Sequence, residues 1–320
     1  MAEVTVIVPC YNLARYLGSC IESVRAQTAP DWECIVVNDG STDDTEAVAR
    51  SYAAQDARVR CVTQQNRGLS AARNRGLDEA TGRFVQFLDA DDSIAPTKFE
   101  RQLAVLNADK HPGLCYCDCE RRNSDPESFG WTSFRMRADL DLENPLRDLA
   151  ARWEDGLSIP SHCFLFDARF FSQRGIRFDQ TLGNHEDWDC WMRIFATIPR
   201  VLYVPDVLAT YLYRGDSLSA DFSPMRQGFL EAIRKQQRIF RDQPDMRATL
   251  AATARRVRDQ YRDSAFPRSA YLRASRATKA AMRKHLPDGV QQFLRTCRSR
   301  IRGFHDRSPE RHQVSKERGR

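Results

Sequence analysis

The chain has 320 residues, enough for one large core with an appendage or for two modest domains. A hydrophobic share of 42% with 17 Phe excludes wholesale disorder. The formal net charge of +6 averages two unlike parts: residues 1–220 carry 24 basic and 33 acidic side chains, net −9, and residues 221–320 carry 25 and 10, net +15. An acidic front and a basic back point to different tasks.

Val4–Val8 is an apolar, β-branched run ended by Pro9 and predicts a first strand, after which Leu13, Tyr16, Leu17, Cys20, Ile21 and Val24 recur at helical spacing. Trp32–Val37 predicts a second strand, followed by the turn-rich Asn38-Asp39-Gly40-Ser41-Thr42-Asp43 and a short helix from about Thr45. Val59–Thr63, a helix over Leu69–Ala80 and a strand at Phe84–Leu88 continue the alternation. Strands separated by crossover helices form a parallel sheet that binds ligands beyond its carboxyl ends. The turns and acids at 9–12, 38–44 and 89–92 all fall there. Residues 120–160, with turn signals at Asp125-Pro126, Asn144-Pro145 and Ile159-Pro160, predict a long excursion. A strand at Ser161–Phe166, a helix from His185 to about Ala196, and strands near Val201–Val204 and Leu208–Tyr213 follow. Beyond Ser223, Phe229, Ile233 and Phe240, then Met246, Leu250, Val257 and Tyr261, give narrow apolar stripes between arginines. From about Gly303 little apolar material remains, which predicts a frayed tail. The expected divisions are 1–110, 111–222, a basic helical 223–302 and a disordered 303–320.

No basic stretch or apolar run precedes Val4, so no secretory signal is expected, and no run of about 18 apolar residues predicts a bilayer span. The ten cysteines contain no CxxC pair and read as reduced thiols of a cytoplasmic protein. Cys115, Cys117 and Cys119 alternate on one strand face; a metal site with His111 or His162 is conceivable, but packing in a central strand is preferred.

Asp89-Ala90-Asp91-Asp92 sets three mutually repelling carboxylates at a strand end. A bound Mg²⁺ or Mn²⁺ removes that conflict and leaves coordination positions for phosphates, and at a parallel strand's end this reading is preferred to a solvated turn capping the next helix. Asp39, also at a strand end, suits a ribose or base, or a simple helix cap. Asn66–Gly76 holds three arginines on a loop entering a helix, which suits a phosphate or base edge as well as a solvated face. His185-Glu186-Asp187-Trp188-Asp189-Cys190-Trp191 opens a helix with three acids; Glu186 and Asp187 are candidate general bases, while early acids also favour the helix dipole. Trp191 is expected in the core. No GxxxxGK[ST], GxGxxG or GxSxG is present.

Together these segments resemble the inverting glycosyltransferases of family 2, which have the GT-A fold. The resemblance is carried in order by Val6-Ile7-Val8-Pro9-Cys10-Tyr11-Asn12, Asn38-Asp39-Gly40-Ser41, Asn66-Arg67-Gly68 with Ala72-Arg73-Asn74, Asp89-Ala90-Asp91-Asp92 and Glu186-Asp187-Trp188, over about residues 3–220. It implies an α/β GT-A domain, a mostly parallel Rossmann-like sheet flanked by helices, with a C-terminal α-helical extension. Residues 1–110 would bind the nucleotide-sugar donor, a UDP-sugar being favoured, and residues 111–222 a saccharide or lipid-linked acceptor. It further implies that Pro9 and Tyr11 line the nucleotide pocket, that Asp39 binds the base or ribose and Arg73 the base or its phosphates, and that Asp89 touches ribose or donor sugar. Asp91 would hold Mg²⁺ or Mn²⁺. Asp187 would be the catalytic base with Glu186 in support, and Arg214 with Ser217 or Ser219 would close on the diphosphate. Family members often carry a histidine in that closing element, where this chain has Gly215-Asp216. A sugar nucleotidyltransferase is the α/β rival, but Pro9-Cys10-Tyr11-Asn12 stands where its Gly-rich loop belongs. A non-catalytic nucleic-acid-binding protein using the basic tail leaves the front unexplained. The net +15 segment is instead expected to hold a cytoplasmic enzyme on the inner face of an anionic membrane, or to be a solvated or partner-binding face.

Overall fold

In the computed structural model of the chain, residues 2–108, 111–129, 132–215, 217 and 222–262 are described. The expected helical stretch beyond residue 262, the tail from 303, Asp216 and Ser219 lie outside them.

The apolar run at the N-terminus becomes β1 (Val4–Cys10), buried along its whole length. It runs two residues further than Val8, through Pro9. Pairing of β1 with β4 (Phe84–Phe87) stops at Ile7, so Pro9 sits where a missing N–H costs that side of the ladder nothing. Between them come α1 (Ala14–Arg25), β2 (Trp32–Asn38), α2 (Thr45–Gln55), β3 (Val59–Thr63) and α3 (Leu69–Glu79). The pairs β1–β2, β1–β4 and β2–β3 are all parallel, as the βα alternation requires. α3 lies hard against β1 at Gly76, where a Cβ would come within 2.3 Å of Ile7 Cγ2.

The second half is mixed. β5 (Ser93–Ile94), α4 (Lys98–Leu106), β6 (Gly113–Asn123), α5 (Pro126–Phe129), β7 (Ser133–Met136) and α6 (Pro145–Arg152) lead to a single 3₁₀ turn at Ser161–Cys163. β8 (Phe164–Asp167), α7 (Arg169–Ser172), α8 (Glu186–Phe195), β9 (Arg200–Tyr213), α9 (Phe222–Ile239) and α10 (Pro244–Arg262) complete the order. The strands form one nine-stranded sheet, β3-β2-β1-β4-β8-β6-β9-β5, with β7 beside β6. β8 enters antiparallel to both β4 and β6, whereas β6 and β9 are parallel.

Two expectations are corrected here. The excursion over 120–160 is partly ordered, because β6 continues to Asn123 by pairing with β7 and β9, and α6 follows. The two strands expected over 201–213 are one, with Pro205 and Asp206 bulging where Cys117 faces Val204 but Asp118 faces Val207. Cys115, Cys117 and Cys119 are buried in β6, and the Cys117 thiol donates to the Cys163 carbonyl at 3.4 Å. Among the described residues no cluster of three or more His, Cys, Asp or Glu is arranged to hold a metal unaided.

The compact unit runs from Met1 to Val257, across the composition change near residue 222. Phe229, Ile233, Phe240, Leu250 and Val257, the stripes legible in the sequence, are buried. α9 packs on α8: the Phe229 ring meets Trp188 edge-on at 5.0 Å, and Lys235 Nζ and Gln236 Nε2 reach Asp189 at 2.8 and 2.7 Å. Asp189, fully buried, also accepts a 2.7 Å bond from Arg193, so its charge is compensated from both helices. Trp191 stacks on Phe166 at 4.4 Å in the core. Among the described residues no helix is long and apolar enough to cross a membrane.

Candidate active site

Beyond β4, the Leu88 N–H bonds the Ile7 carbonyl and the chain turns through Asp89–Asp92, closed by Asp92 N–H to the Asp89 carbonyl at 2.9 Å. The acids are separated by their partners. Asp89, a third exposed, accepts Arg73 Nη2 at 2.9 Å. Arg73 Nη1 donates at 2.6 Å to Glu186, the first residue of α8. Arg73 is 2% exposed and lies over the Phe178 ring at 5.2 Å. Burial works against its charge, but Asp89, Glu186 and Asp187 outweigh burial and hold the guanidinium pKa above its usual value. One arginine of α3 thus ties the acidic turn to the start of α8.

Asp187 accepts its neighbour's backbone N–H, that of Trp188, at 2.6 Å, within the positive end of the α8 dipole. The preceding His185 adopts φ 59°, stacks on Phe229 at 4.5 Å and places Nε2 2.9 Å from Glu154 Oε1. The entry to α8 is therefore held by α9 and by the turn after α6.

Asp91 faces Arg214, whose Nε donates to Oδ2 at 2.9 Å while its guanidinium lies 4.8 Å over the Tyr16 ring. The Ser217 hydroxyl donates to the Arg214 carbonyl at 3.0 Å. Burial, with Asp92 and Asp89 close by, pushes Asp91 up to about 6 despite the pull of Arg214. Asp92 points inward: Oδ2 lies 2.9 Å from His162 Nδ1, both side chains almost fully buried, and Oδ1 accepts the Leu212 N–H at 2.8 Å. Burial disfavours the His162 charge, but Asp92 prevails and raises its pKa to about 9. Sequence reading weighed Asp92 with the other turn acids and His162 with the cysteines. Nothing local signals that the two pair, since they are 70 residues apart.

A further part of the strand-end surface is built by the loop after β2. Asn12, at φ 53°, accepts the Thr42 N–H at 2.8 Å, and Ser41, Thr45 and Asp43 accept the N–H groups of Asn12, Leu13 and Ala14. The start of α1 is thereby satisfied by a neighbouring loop. Gly40 takes φ 73°, and a Cβ there would meet Asn66 N at 2.7 Å. Asp39, 3% exposed, accepts Gln64 Nε2 at 2.7 Å, Arg67 N–H at 3.0 Å and Gly68 N–H at 2.8 Å, fixing the loop before α3. A carboxylate offers about four acceptor sites, so any ribose or base contact uses what remains. Pro9 is buried in β1 and Tyr11 stands out from its end, 47% exposed.

Of the residues singled out from sequence, the fold joins Arg73, Asp89, Glu186 and Asp187 in one cluster and Asp91, Arg214 and Ser217 in another. Asp91 and Asp89 suit a hard divalent cation: Asp91 is desolvated among like charges, and Mg²⁺ or Mn²⁺ sites commonly take one or two carboxylates with phosphates supplying the rest. Arg214 already pairs with Asp91, so a bound metal would share or replace that contact.

A mixed sheet with acids beyond its central strand, joined through Arg73 to an acid-rich helix start, puts the candidate site where open α/β sheets bind ligands. Residues 5–175 match the family described as glycosyl transferase family 2, and the chain belongs to that family. It is 29% identical over 233 residues to the uncharacterized glycosyltransferase EpsJ of Bacillus subtilis, covering 73% of this chain and 67% of EpsJ. It is 33% identical over 229 residues to the glycosyltransferase GlyA of Streptococcus pneumoniae, but spans only 31% of that protein. The fold is that of S. aureus TarS 1–349 in complex with UDP-GlcNAc, with TM-score 0.60 at 22% identity over 91% of this chain and 81% of that one. The mannosyltransferase PcManGT of Pyrobaculum calidifontis, in complex with GDP-Man and Mn²⁺, superposes with TM-score 0.56 at 22% identity over 88% of this chain and 80% of that one. The GT-A fold expected from the sequence is the observed one.

Proposed function

We propose that the chain transfers a sugar from a nucleoside-diphosphate sugar, a UDP-sugar favoured, to a hydroxyl of a saccharide, glycolipid or surface polymer by one in-line displacement with inversion. The observation that carries this reading is the Arg73 bridge, which sets the acidic turn and the first turn of α8 around one buried cation. Donor-binding acids and a base must be held together in this way for in-line attack. The UDP, UDP-GlcNAc and GDP-Man found in structurally similar enzymes support the donor class.

In this reading Asp187 takes the acceptor hydroxyl proton. One of its oxygens, Oδ1, is held by the Trp188 N–H, and the other would meet the acceptor hydroxyl. Glu186 and Arg73 orient Asp187. Pro9, Tyr11 and Asp39 line the nucleotide pocket, and Asp89 meets the ribose or donor sugar. Mg²⁺ or Mn²⁺ held by Asp91, when bound, neutralises the diphosphate leaving group. Arg214, with Ser217 or Ser219, adds positive charge on the same leaving group after parting from Asp91. Asp187→Asn is expected to fold normally and bind UDP like the parent, while nucleoside-diphosphate release with a nucleotide-sugar panel and acceptor falls at least a hundredfold. Near-parental turnover removes Asp187 from the base role.

Attachment of the net +15 segment to an anionic membrane, near a lipid-linked acceptor, is a separate proposal. The apolar stripe of α9 is used in packing, so such attachment would rest on charge. Co-sedimentation with anionic but not neutral liposomes, lost in high salt, tests it.

A further inference from the structure

Arg121 lies in the outer half of β6, opposite Tyr211 of β9. Its guanidinium carbon is 5.3 Å from the ring centroid of Tyr211 and 4.7 Å from that of Tyr213, two alternate residues of the neighbouring strand. Arg73, Arg135, Arg152, Arg169, Arg193 and Arg214 each meet a carboxylate. Among the described residues none does so with Arg121, and its buried Nε has no hydrogen-bond partner. A guanidinium over aromatic faces is held in place without being neutralised, and its N–H fork remains able to donate to an oxyanion.

The position adjoins the candidate active site. Tyr213 immediately precedes Arg214, which bonds Asp91. The Tyr211 ring lies nearly parallel to that of His162 at 6.2 Å, and His162 pairs with Asp92. The cluster therefore borders the acidic turn from β6 and β9, strands distinct from those carrying Pro9, Tyr11 and Asp39. The two tyrosine rings hold the guanidinium, and its N–H fork suits an anionic substituent.

We propose that Arg121, with Tyr211 and Tyr213, forms an acceptor subsite for a saccharide bearing an anionic group, a phosphate or a carboxylate. The proposal rests on the transferase reading for the word acceptor, but its chemistry is testable apart from turnover. The full chain is saturated with UDP and Mn²⁺ to fill the donor site, then titrated with glucose 6-phosphate, glucuronate and glucose by saturation-transfer NMR. At least one charged sugar is expected to bind tenfold or more tighter than glucose, the stronger of the two identifying phosphate or carboxylate. Arg121→Gln is expected to abolish that preference with UDP affinity unchanged, and Arg121→Lys to retain part of it. Equal binding of charged and neutral sugars, no binding of any, or a preference that survives in Arg121→Gln overturns the subsite. Failure of UDP to bind the parent chain would instead count against the transferase reading, while the sugar comparison still reports on Arg121.

Discussion

Replacing Arg73 by Met removes the cation shared by Asp89 and Glu186 while keeping an unbranched side chain in the space. Arg73 is 2% exposed, and the side chains of Glu186 and Asp89 are 10% and 33% exposed. Most of the loss therefore falls on Glu186, which is left almost fully buried without its partner; Asp89 recovers part of its hydration. Removing one member of a buried pair costs about 3–5 kcal/mol, and that is the expected drop in urea unfolding free energy at pH 7, read from Trp188 and Trp191 fluorescence. The pH dependence has a definite sign. Burial already pushes Glu186 upward against the pull of Arg73, and without Arg73 that pull is gone. A carboxyl with a raised folded pKa adds stability fully below its unfolded value and loses it as pH rises through the folded value. The deficit of Arg73→Met is therefore expected to shrink between pH 7 and pH 5. Arg73→Lys keeps the charge but cannot span both carboxylates, and is expected to fall between the two. A Met variant within about 1 kcal/mol of the parent at pH 7, or a deficit that grows on acidification, refutes the bridging role.

Asp91 gives a second pH signature. Its pKa is raised from 3.8 to about 6, so metal-free stability falls as pH rises through that interval. Keeping it ionised above pH 7 costs roughly 3 kcal/mol after the offset from Arg214. Asp91→Asn is expected to unfold at higher urea than the parent at pH 7.5 in EDTA, with little difference at pH 4, and to lose any Mn²⁺ enhancement of UDP affinity by calorimetry. Phe229→Ala is expected to cost about 3–5 kcal/mol and to reduce turnover, because Phe229 supports both His185 and Trp188 at the entry to α8. Unchanged stability would mean that α9 is an appendage after all.

The strand-end chemistry was legible because it is local. Apolar runs and turn residues set β1, β2, β3 and β4, and a carboxylate cluster directly after a strand lies at the sheet's carboxyl edge by geometry. The two breaks came from tertiary pairing. Pro9 sits inside a strand because its neighbour stops short, and the 201–213 segment is one strand because it pairs with β6 along its length and takes up the irregularity as a bulge at Pro205 and Asp206. The apolar stripe of α9 was legible after residue 222, but not that it packs on α8.

By itself, then, the sequence determined the order of strands and acids along the chain and the family, since hydrophobic period and residue type act over a few positions. Only the tertiary structure decided which cation serves which acid. Arg73 reaches Glu186 across 113 positions and Arg214 reaches Asp91 across 123. His162 takes Asp92 out of the acidic turn, and Arg121 finds two tyrosines in place of a carboxylate. Such pairings depend on burial and on distances of a few ångströms, which composition and spacing do not encode, because Coulomb energies are set by separation in space and by the surrounding dielectric.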